Sequence, residues 1–282
     1  MAETPTVSIV IPSFRGAGYL DVALASIAPL ACPARAEVIV VSDGPDDAVT
    51  AVVERHGVHR VTLPQHSGLN SARNAGINAA RSDLVAFVDN DVAAPEGWLA
   101  ALVAGAERYP DHEVFGGPIH ARLERRLPAC GREPAPITTL DAGPVDRDVP
   151  IVWGANMMIR RSAFERVGHF DPQLHGRGDE EEWLLRYAAS GGRIRYLAAA
   201  VLDHRRTAED SRLAALTRAA YGQGREARRH DCRNGTQRAL ASELRTLLGC
   251  AWHTIRRRCA YGIVMGAKTA GTVREALAER RA

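Results

Sequence analysis

Three carboxylate clusters in this 282-residue chain stand where they could do chemistry. Asp89-Asn90-Asp91 follows directly on the apolar run DLVAFV at 83–88. Two carboxylates two residues apart at the mouth of a buried strand repel one another unless a cation sits between them. Mg2+ or Mn2+ takes such oxygen ligands and leaves positions open for phosphate oxygens. The competing reading is a strand-ending turn with solvated charges. The preceding run favours the cation, because it fixes the backbone and aims both carboxylates into one crevice. Gly178-Asp179-Glu180-Glu181-Glu182-Trp183 is the second cluster. Acids at a helix start suit the positive end of its dipole, but four exceed what capping needs. One facing a crevice could act as a general base. Trp183 offers either an apolar face for a sugar ring or a core aromatic. The third cluster, Ser42-Asp43-Gly44, closes the run EVIVV. Its carboxylate could accept hydrogen bonds from a nucleobase or ribose, although Asp-Gly is also a common turn pair.

The elements that must position these groups alternate in period. Val7–Ile11, Glu37–Val41, His59–Leu63 and Asp83–Val88 read as strands, and residues 18–30, 46–56 and 69–80 as helices between them. Such alternation predicts a parallel sheet of βαβ units with helices on both faces, which puts ligands beyond the carboxyl ends of the strands. Further on, Glu96–Glu107 reads as a helix and Val114–His120 as a strand. Residues 128–150 hold five prolines and little periodicity, as expected of a lid or a surface excursion. Ile151–Arg160 reads as a strand, Ser162–Val167 as a short helix capped by Ser162, Asp179–Ala189 as a helix and Arg193–Leu197 as a strand. From residue 206 the pattern is helical and Arg-rich, interrupted at Gly222, Gly224, Gly235 and Gly249.

Several segments together resemble a family 2 glycosyltransferase with the GT-A fold. They are VSIVIPSF at 7–14, EVIVVSDGPDD at 37–47, GLNSARNAGINAARSDLVAFVDNDV at 68–92 and WGANMMIRRSAFERVGHFDPQLHGRGDEEEWLLR at 153–186. The likeness covers roughly residues 5–205. It implies a Rossmann-like, mostly parallel sheet over 1–205, followed by a C-terminal helical extension over 206–282. It implies that Pro12 and Phe14 line the nucleotide pocket, that Asp43 contacts base or ribose, and that Arg73 and Asn90 lie on the nucleotide-diphosphate side. Asp89 and Asp91 match the family's DxD, and His204 matches a residue that supplies a further metal ligand or touches the diphosphate. Its acceptor-side motif is typically Gly-Glu-Asp; here the acids are exchanged, so the base position falls on Glu180 with Asp179 beside it. Trp153 and Trp183 are the expected acceptor-side aromatics. The resemblance implies an inverting transfer from a nucleoside-diphosphate sugar to a hydroxyl acceptor (a small molecule, a saccharide or a lipid-linked glycan). The cofactor would be Mn2+ or Mg2+, and Arg205 or Arg206 would help neutralise the leaving diphosphate.

Alternatives from other classes fit less well. A nucleotidyltransferase usually carries a Gly-rich basic loop after its first strand, where this chain has IPSFRGAGYLD. A non-catalytic nucleotide-sugar binder or scaffold needs no base. A P-loop NTPase lacks its G-x-x-x-x-G-K-[ST].

Composition sets the outer bounds. The chain is 46% hydrophobic and 24% charged, with no apolar run near the ~18 residues of a spanning helix. Its start reads as a strand and not a signal peptide. Cys32, Cys130, Cys232, Cys250 and Cys259 are scattered, with no CxxC. That argues against a disulfide framework or a zinc site and for a cytoplasmic setting. Residues 205–282 carry 17 basic and 7 acidic side chains, against a net charge of +3 for the whole. A basic tail with Arg256-Arg257-Arg258 beside Trp252 and Tyr261 fits peripheral contact with the inner face of an anionic membrane. Leu213, Leu216, Leu240, Leu244, Leu247 and Leu248 fit equally an oligomerising helical pair that buries one stripe. Nucleic acid is not expected, since the tail lacks a reading motif.

Overall fold

The computed structural model describes residues 6–31, 35–131, 135–174 and 179–279; Cys32 and Gly178 lie outside the described residues. The elements are β1 (Ser8–Ser13), α1 (Ala17–Ala31), β2 (Glu37–Ser42), α2 (Asp47–His56), β3 (His59–Thr62), α3 (Leu69–Ala79), β4 (Leu84–Val88), β5 (Val92–Ala93), α4 (Trp98–Arg108) and β6 (Val114–Gly116). There follow β7 (Ile119–Leu123), β8 (Arg147–Val149), β9 (Asn156–Arg160), α5 (Arg161–Val167), α6 (Asp179–Ala189), β10 (Ile194–Tyr196), β11 (Leu202–Arg206), α7 (Leu213–Arg233), α8 (Leu240–Arg257) and α9 (Ala260–Glu279).

The chain divides into two compact units. One comprises residues 1–120 and 139–204, the other 121–138 and 205–282. The second unit thus takes in a segment from the middle of the chain as well as the basic tail.

In the first unit, eight described strands form one sheet in the order β3-β2-β1-β4-β9-β6-β10-β8. β1, β2, β3 and β4 pair in parallel, as do β6 and β10, whereas β9 runs antiparallel to both β4 and β6. The β-branched strands are buried on both faces. Ile9 and Ile11 of β1 pack with α1, α2 and α4, and Val10 between them packs with residues of α3, α5 and α6. That period-two division explains why the strands read as continuous apolar runs.

Some boundaries differ from expectation, for local reasons. The strand expected over 114–120 breaks at Gly117-Pro118, because proline donates no ladder hydrogen bond. The strand expected from Ile151 starts only at Asn156. Ser162 does not cap α5; its hydroxyl donates to Glu113 Oε1 at 2.6 Å. The proline-rich 128–150 stretch supplies β8, which pairs antiparallel with β10.

In the second unit, α7 runs unbroken through Gly222 and Gly224, and α8 through Gly249. Gly224 and Gly271 let α7 and α9 touch: a Cβ at Gly224 would fall 1.8 Å from Lys268 O, and one at Gly271 2.1 Å from Tyr221 O. Leu216, Ala220 and Val264 form a small core with Leu127 and Leu213. Of the leucines expected to be covered on α8, Leu240 and Leu247 are half-buried, whereas Leu244 and Leu248 are open, as are Trp252 and Ile255. Leu244, Leu248, Trp252 and Ile255 are 44%, 72%, 68% and 75% exposed. No described helix is long and apolar enough to cross a membrane.

Candidate active site

β1 pairs in parallel with both β2 and β4, so their carboxyl ends fall together, and the loops leaving them carry Phe14, Asp43 and Asp89–Asp91. Pro12 is buried in β1 opposite Val41 of β2. Phe14, just beyond, is 47% exposed and stacks on His66 with ring centroids 3.8 Å apart. Asp43 is enclosed. Its Oδ1 accepts from the Ser67 amide at 2.6 Å, and its Oδ2 from the Gly68 amide at 2.9 Å, with His66 Nδ1 2.8 Å away. The carboxylate thereby fixes the entry to α3 as well as the Phe14-bearing corner. Asn90 Nδ2 donates to Ser13 Oγ and to Arg15 O, tying the DxD turn to the end of β1.

Asp89, Asp91 and His204 converge. One donor atom from each lies within 4.8 Å of the others, and Asp91 Oδ1 is 3.2 Å from His204 Nε2. β4 delivers the two carboxylates. β11 delivers the buried imidazole, because His204 pairs with Val92 of β5, the residue after Asp91. Lost solvent and the charge of Asp91 push the Asp89 carboxyl up to about 6, against the pull of Arg73 and His204. Two facing carboxylates and an imidazole, all hard or borderline donors, fit Mn2+ or Mg2+.

The two acids at the start of α6 are organised from α3. Asn70, Arg73 and Asn74 share one face of that helix, at i, i+3 and i+4. Asn74 exchanges two hydrogen bonds with the backbone of Phe170, and Asn70 Nδ2 donates to the carbonyls of Asp171 and Asp179. Arg73, fully buried, donates from Nη1 to Asp179 Oδ2 at 3.2 Å, and Glu180 Oε2 lies at 3.6 Å. Its guanidinium also lies over the Phe170 ring, 5.6 Å from the centroid. Burial alone would lower Arg73, but the charges of Glu180, Asp179 and Asp89 raise it above its ordinary value.

The two acids respond in opposite directions. Burial pushes Asp179 up to about 8, and Glu180 adds to the rise against Arg73. Burial would raise Glu180 too, yet Arg73, the Asp179 side chain and the amides of Glu180 and Gly154 bring it down to about 2. The surroundings thus favour the charged form of Glu180 and the neutral form of Asp179. Glu180 is also the more open, at 14% side-chain exposure against 5%. Gly154 closes the arrangement: its amide donates to Glu180 Oε1 at 3.2 Å, and a Cβ there would fall 2.2 Å from an Arg73 nitrogen.

One expectation is corrected. Trp183 is fully buried among Phe164, Phe170 and Tyr187, and its indole N–H donates to Gly168 O, so it offers no face to a sugar. Arg73 donates to Asn70 and Asp179 and also feels the charge of Asp89. Trp153 is half-buried, just before Gly154. Arg205 pairs with Glu124 at 2.5 Å. Asn70, Asn74 and Asn156 were not foreseen. Asn156 is fully buried, accepts from Trp98 Nε1 and donates to the carbonyls of Pro118 and Ala200. Its place at the head of β9, after a run of small residues, was the only signal in the sequence.

This mostly parallel sheet, with a donor triad at one strand end and an acid pair behind it, has the layout of a GT-A glycosyltransferase. The profile described as "Glycosyl transferase family 2" matches residues 8–168, and the chain belongs to that family. A pre-mycofactocin glycosyltransferase of Mycobacterium tuberculosis is 32% identical over 220 residues, covering 72% of this chain and 44% of the relative. A glucosyl-dolichyl phosphate glucuronosyltransferase of Haloferax volcanii is 26% identical over 184 residues, covering 60% and 59%. The chain thus spans about half the length of these relatives. Among solved structures, the mannosyltransferase PcManGT of Pyrobaculum calidifontis, in complex with GDP-Man and Mn2+, superposes with a TM-score of 0.66. The alignment has 15% identity and covers 99% of this chain and 89% of that one, and it establishes the GT-A fold.

Proposed function

We propose that the chain transfers a sugar from a nucleoside-diphosphate donor to an acceptor hydroxyl, with inversion at the anomeric carbon. The observation that carries this reading is the placement of Arg73. It links the Asp89–Asp91–His204 donor set electrostatically to an ionised Glu180. Asp91, Asp89 and His204 would hold Mn2+ or Mg2+, which supplies charge neutralisation for a leaving diphosphate when bound. That the structural neighbour was solved with GDP-Man and Mn2+ supports this assignment.

The chain's own residues do the rest. Phe14, Pro12 and Asp43 shape the nucleotide pocket, with Phe14 pre-stacked on His66 as a platform for a base. Glu180 takes the proton from the acceptor hydroxyl. The acceptor oxygen then bonds to the anomeric carbon as the bond to the diphosphate oxygen breaks on the opposite face. Asp179 keeps its proton and holds Arg73 and the start of α6. A single base with no enzymic nucleophile supports one displacement and hence inversion. Trp153 borders the acceptor side. The relatives' names share glycosyl transfer but differ in what they glycosylate, so they support the reaction more than any one acceptor. Thermal-shift screening of UDP-, GDP- and dTDP-sugars with Mn2+ tests the donor assignment. Stabilisation by at least one sugar nucleotide that is lost in EDTA supports it, and none by any donor overturns it.

The second unit supports a further part of the reading. Leu244, Leu248, Trp252 and Ile255 recur at i, i+4, i+8 and i+11 on α8, beside the exposed Arg245, Arg256, Arg257 and Arg258. An apolar stripe edged by guanidinium groups complements an anionic bilayer surface. We assign α8 as a peripheral membrane contact, a setting that fits a lipid-linked acceptor.

A further inference from the structure

Cys130 is remote in sequence from His253 and Cys259, which lie close together at the end of α8, and none of the three takes part in the transfer described above. Cys130 lies in the segment that the second unit draws from the middle of the chain, His253 in the last turn but one of α8, and Cys259 at the break between α8 and α9. Yet Cys130 Sγ is 3.2 Å from His253 Nε2, and one donor atom from each of the three lies within 4.8 Å of the others. A tetrahedral ion with bonds of about 2.3 Å to sulfur and about 2.0 Å to nitrogen sets its ligand atoms roughly 3.5–3.8 Å apart. The Cys130–His253 pair is already close to that spacing, and Cys259 lies within 4.8 Å of both.

The backbone around the cluster is arranged to keep it there. Arg258 adopts the left-handed conformation, with φ of 49°, and this turn between the two helices is followed at once by the buried Cys259. The Ala260 amide donates to Pro128 O at 2.8 Å, pinning the Cys130 segment to the start of α9. Gly262 allows that first turn to close on α8: a Cβ there would fall 2.5 Å from Thr254 Oγ1 and 3.2 Å from the His253 ring. Two separate segments, 121–131 and the α8–α9 corner, thus present two thiols and an imidazole to one point.

We propose that Cys130, His253 and Cys259 form a binding site for a zinc-class divalent cation, chemically distinct from the oxygen-rich site at Asp89 and Asp91. Two sulfurs and one nitrogen select borderline or soft ions, whereas two carboxylates and one imidazole suit Mn2+ or Mg2+. On binding, each thiol releases its proton to solvent, and the two thiolates and the imidazole nitrogen donate lone pairs to the ion. Three protein ligands leave a fourth position for water or another small donor. The ion would staple residues 121–131 to the α8–α9 junction. Beside it lies a cavity of about 550 Å³ lined by Arg122, Arg126, Leu127 and Tyr261.

Cobalt spectroscopy on the full chain tests this. The reduced, metal-stripped protein is titrated with Co2+ in excess Mg2+, which occupies the oxygen-rich site. The expected result is one equivalent of Co2+ with the visible bands of tetrahedral coordination and a thiolate charge-transfer band, all displaced by Zn2+. Cys130→Ser and His253→Ala should abolish the bands while keeping the helical circular dichroism, and Asp91→Ala should retain them. Zn2+ should also slow proteolysis within 121–131 in the wild type, a readout that needs no variant to fold. Reduced wild type without thiolate bands would overturn the proposal, as would bands that survive both ligand substitutions. So would a Cys130–Cys259 disulfide in the isolated protein that yields no cobalt site after reduction.

Discussion

Arg73 Nη1 lies 3.2 Å from Asp179 Oδ2 and 3.6 Å from Glu180 Oε2, and both Arg73 and Asp179 are almost wholly enclosed. The two acids are pressed in opposite directions, burial raising Asp179 while Arg73 and nearby hydrogen bonds lower Glu180. The proposed division of labour follows this difference, with the enclosed Asp179 holding Arg73 and the more open Glu180 serving as the base.

Glu180→Gln should therefore keep donor binding and lose about 10²-fold or more in transfer rate. Asp179→Asn should be the milder change, because an amide can replace a protonated carboxyl beside Arg73. Steady-state kinetics on both variants checks this. A severe Asp179→Asn and a mild Glu180→Gln would shift the base by one residue.

The same division has a pH signature in stability. Asp179 is raised from 3.8 to about 8, so the stability it contributes is full below about pH 4 and is lost as pH rises through 8. Glu180 is lowered from 4.5 to about 2, so its contribution is present above pH 4.5 and is lost as pH falls through 2. Melting temperatures across pH should show Asp179→Asn gaining on the wild type as pH rises to 8. The deficit of Glu180→Gln should close on acidification below 4.5. Parallel pH curves for both variants and the wild type would contradict the assignment.

Removing the shared partner should be costly. Arg73→Ala leaves buried acids without their cation, a change that typically costs about 3–5 kcal/mol. Gly154→Ala places a methyl group against the enclosed guanidinium and should cost about 1–3 kcal/mol with a loss of transfer rate. Denaturant unfolding measures both. An unaffected Gly154→Ala would mean that Arg73 can move without consequence.

The sheet, the DxD turn and the start of α6 were legible because each is local: a β-branched run followed by acids, or acids followed by an apolar helix. His204 was legible only through family likeness, since its approach to Asp91 depends on β11 pairing beside β5. Trp183 was ambiguous for a different reason. Four and three residues beyond Asp179 and Glu180 it lies on their side of α6, yet packing with Phe164 and Phe170 draws it into the core. The Arg73–Asp179 contact spans 106 positions and the Cys130–His253 contact 123, so neither leaves a spacing signature. Gly222, Gly224 and Gly249 read as helix interruptions because propensity is local, whereas Gly224 answers a tertiary need, the close approach of α9.

The open stripe on α8 should bind vesicles containing anionic lipid at low salt and release them at high salt, where screening removes the arginine contribution. Leu248→Asp with Trp252→Asp should abolish co-sedimentation and leave transfer to a soluble acceptor intact. A salt-insensitive dimer in solution that fails to sediment would make the stripe a contact between two copies of the chain.

The most direct test of glycosyl transfer at this site is nucleoside-diphosphate release from UDP-, GDP- and dTDP-sugars with Mn2+, compared across wild type, Asp91→Ala and Glu180→Gln. The expected result is release from at least one donor by the wild type, none by Asp91→Ala, and release slowed about 100-fold or more by Glu180→Gln with donor binding preserved. Equal release by all three proteins, or undiminished release by the wild type in excess EDTA, would contradict it.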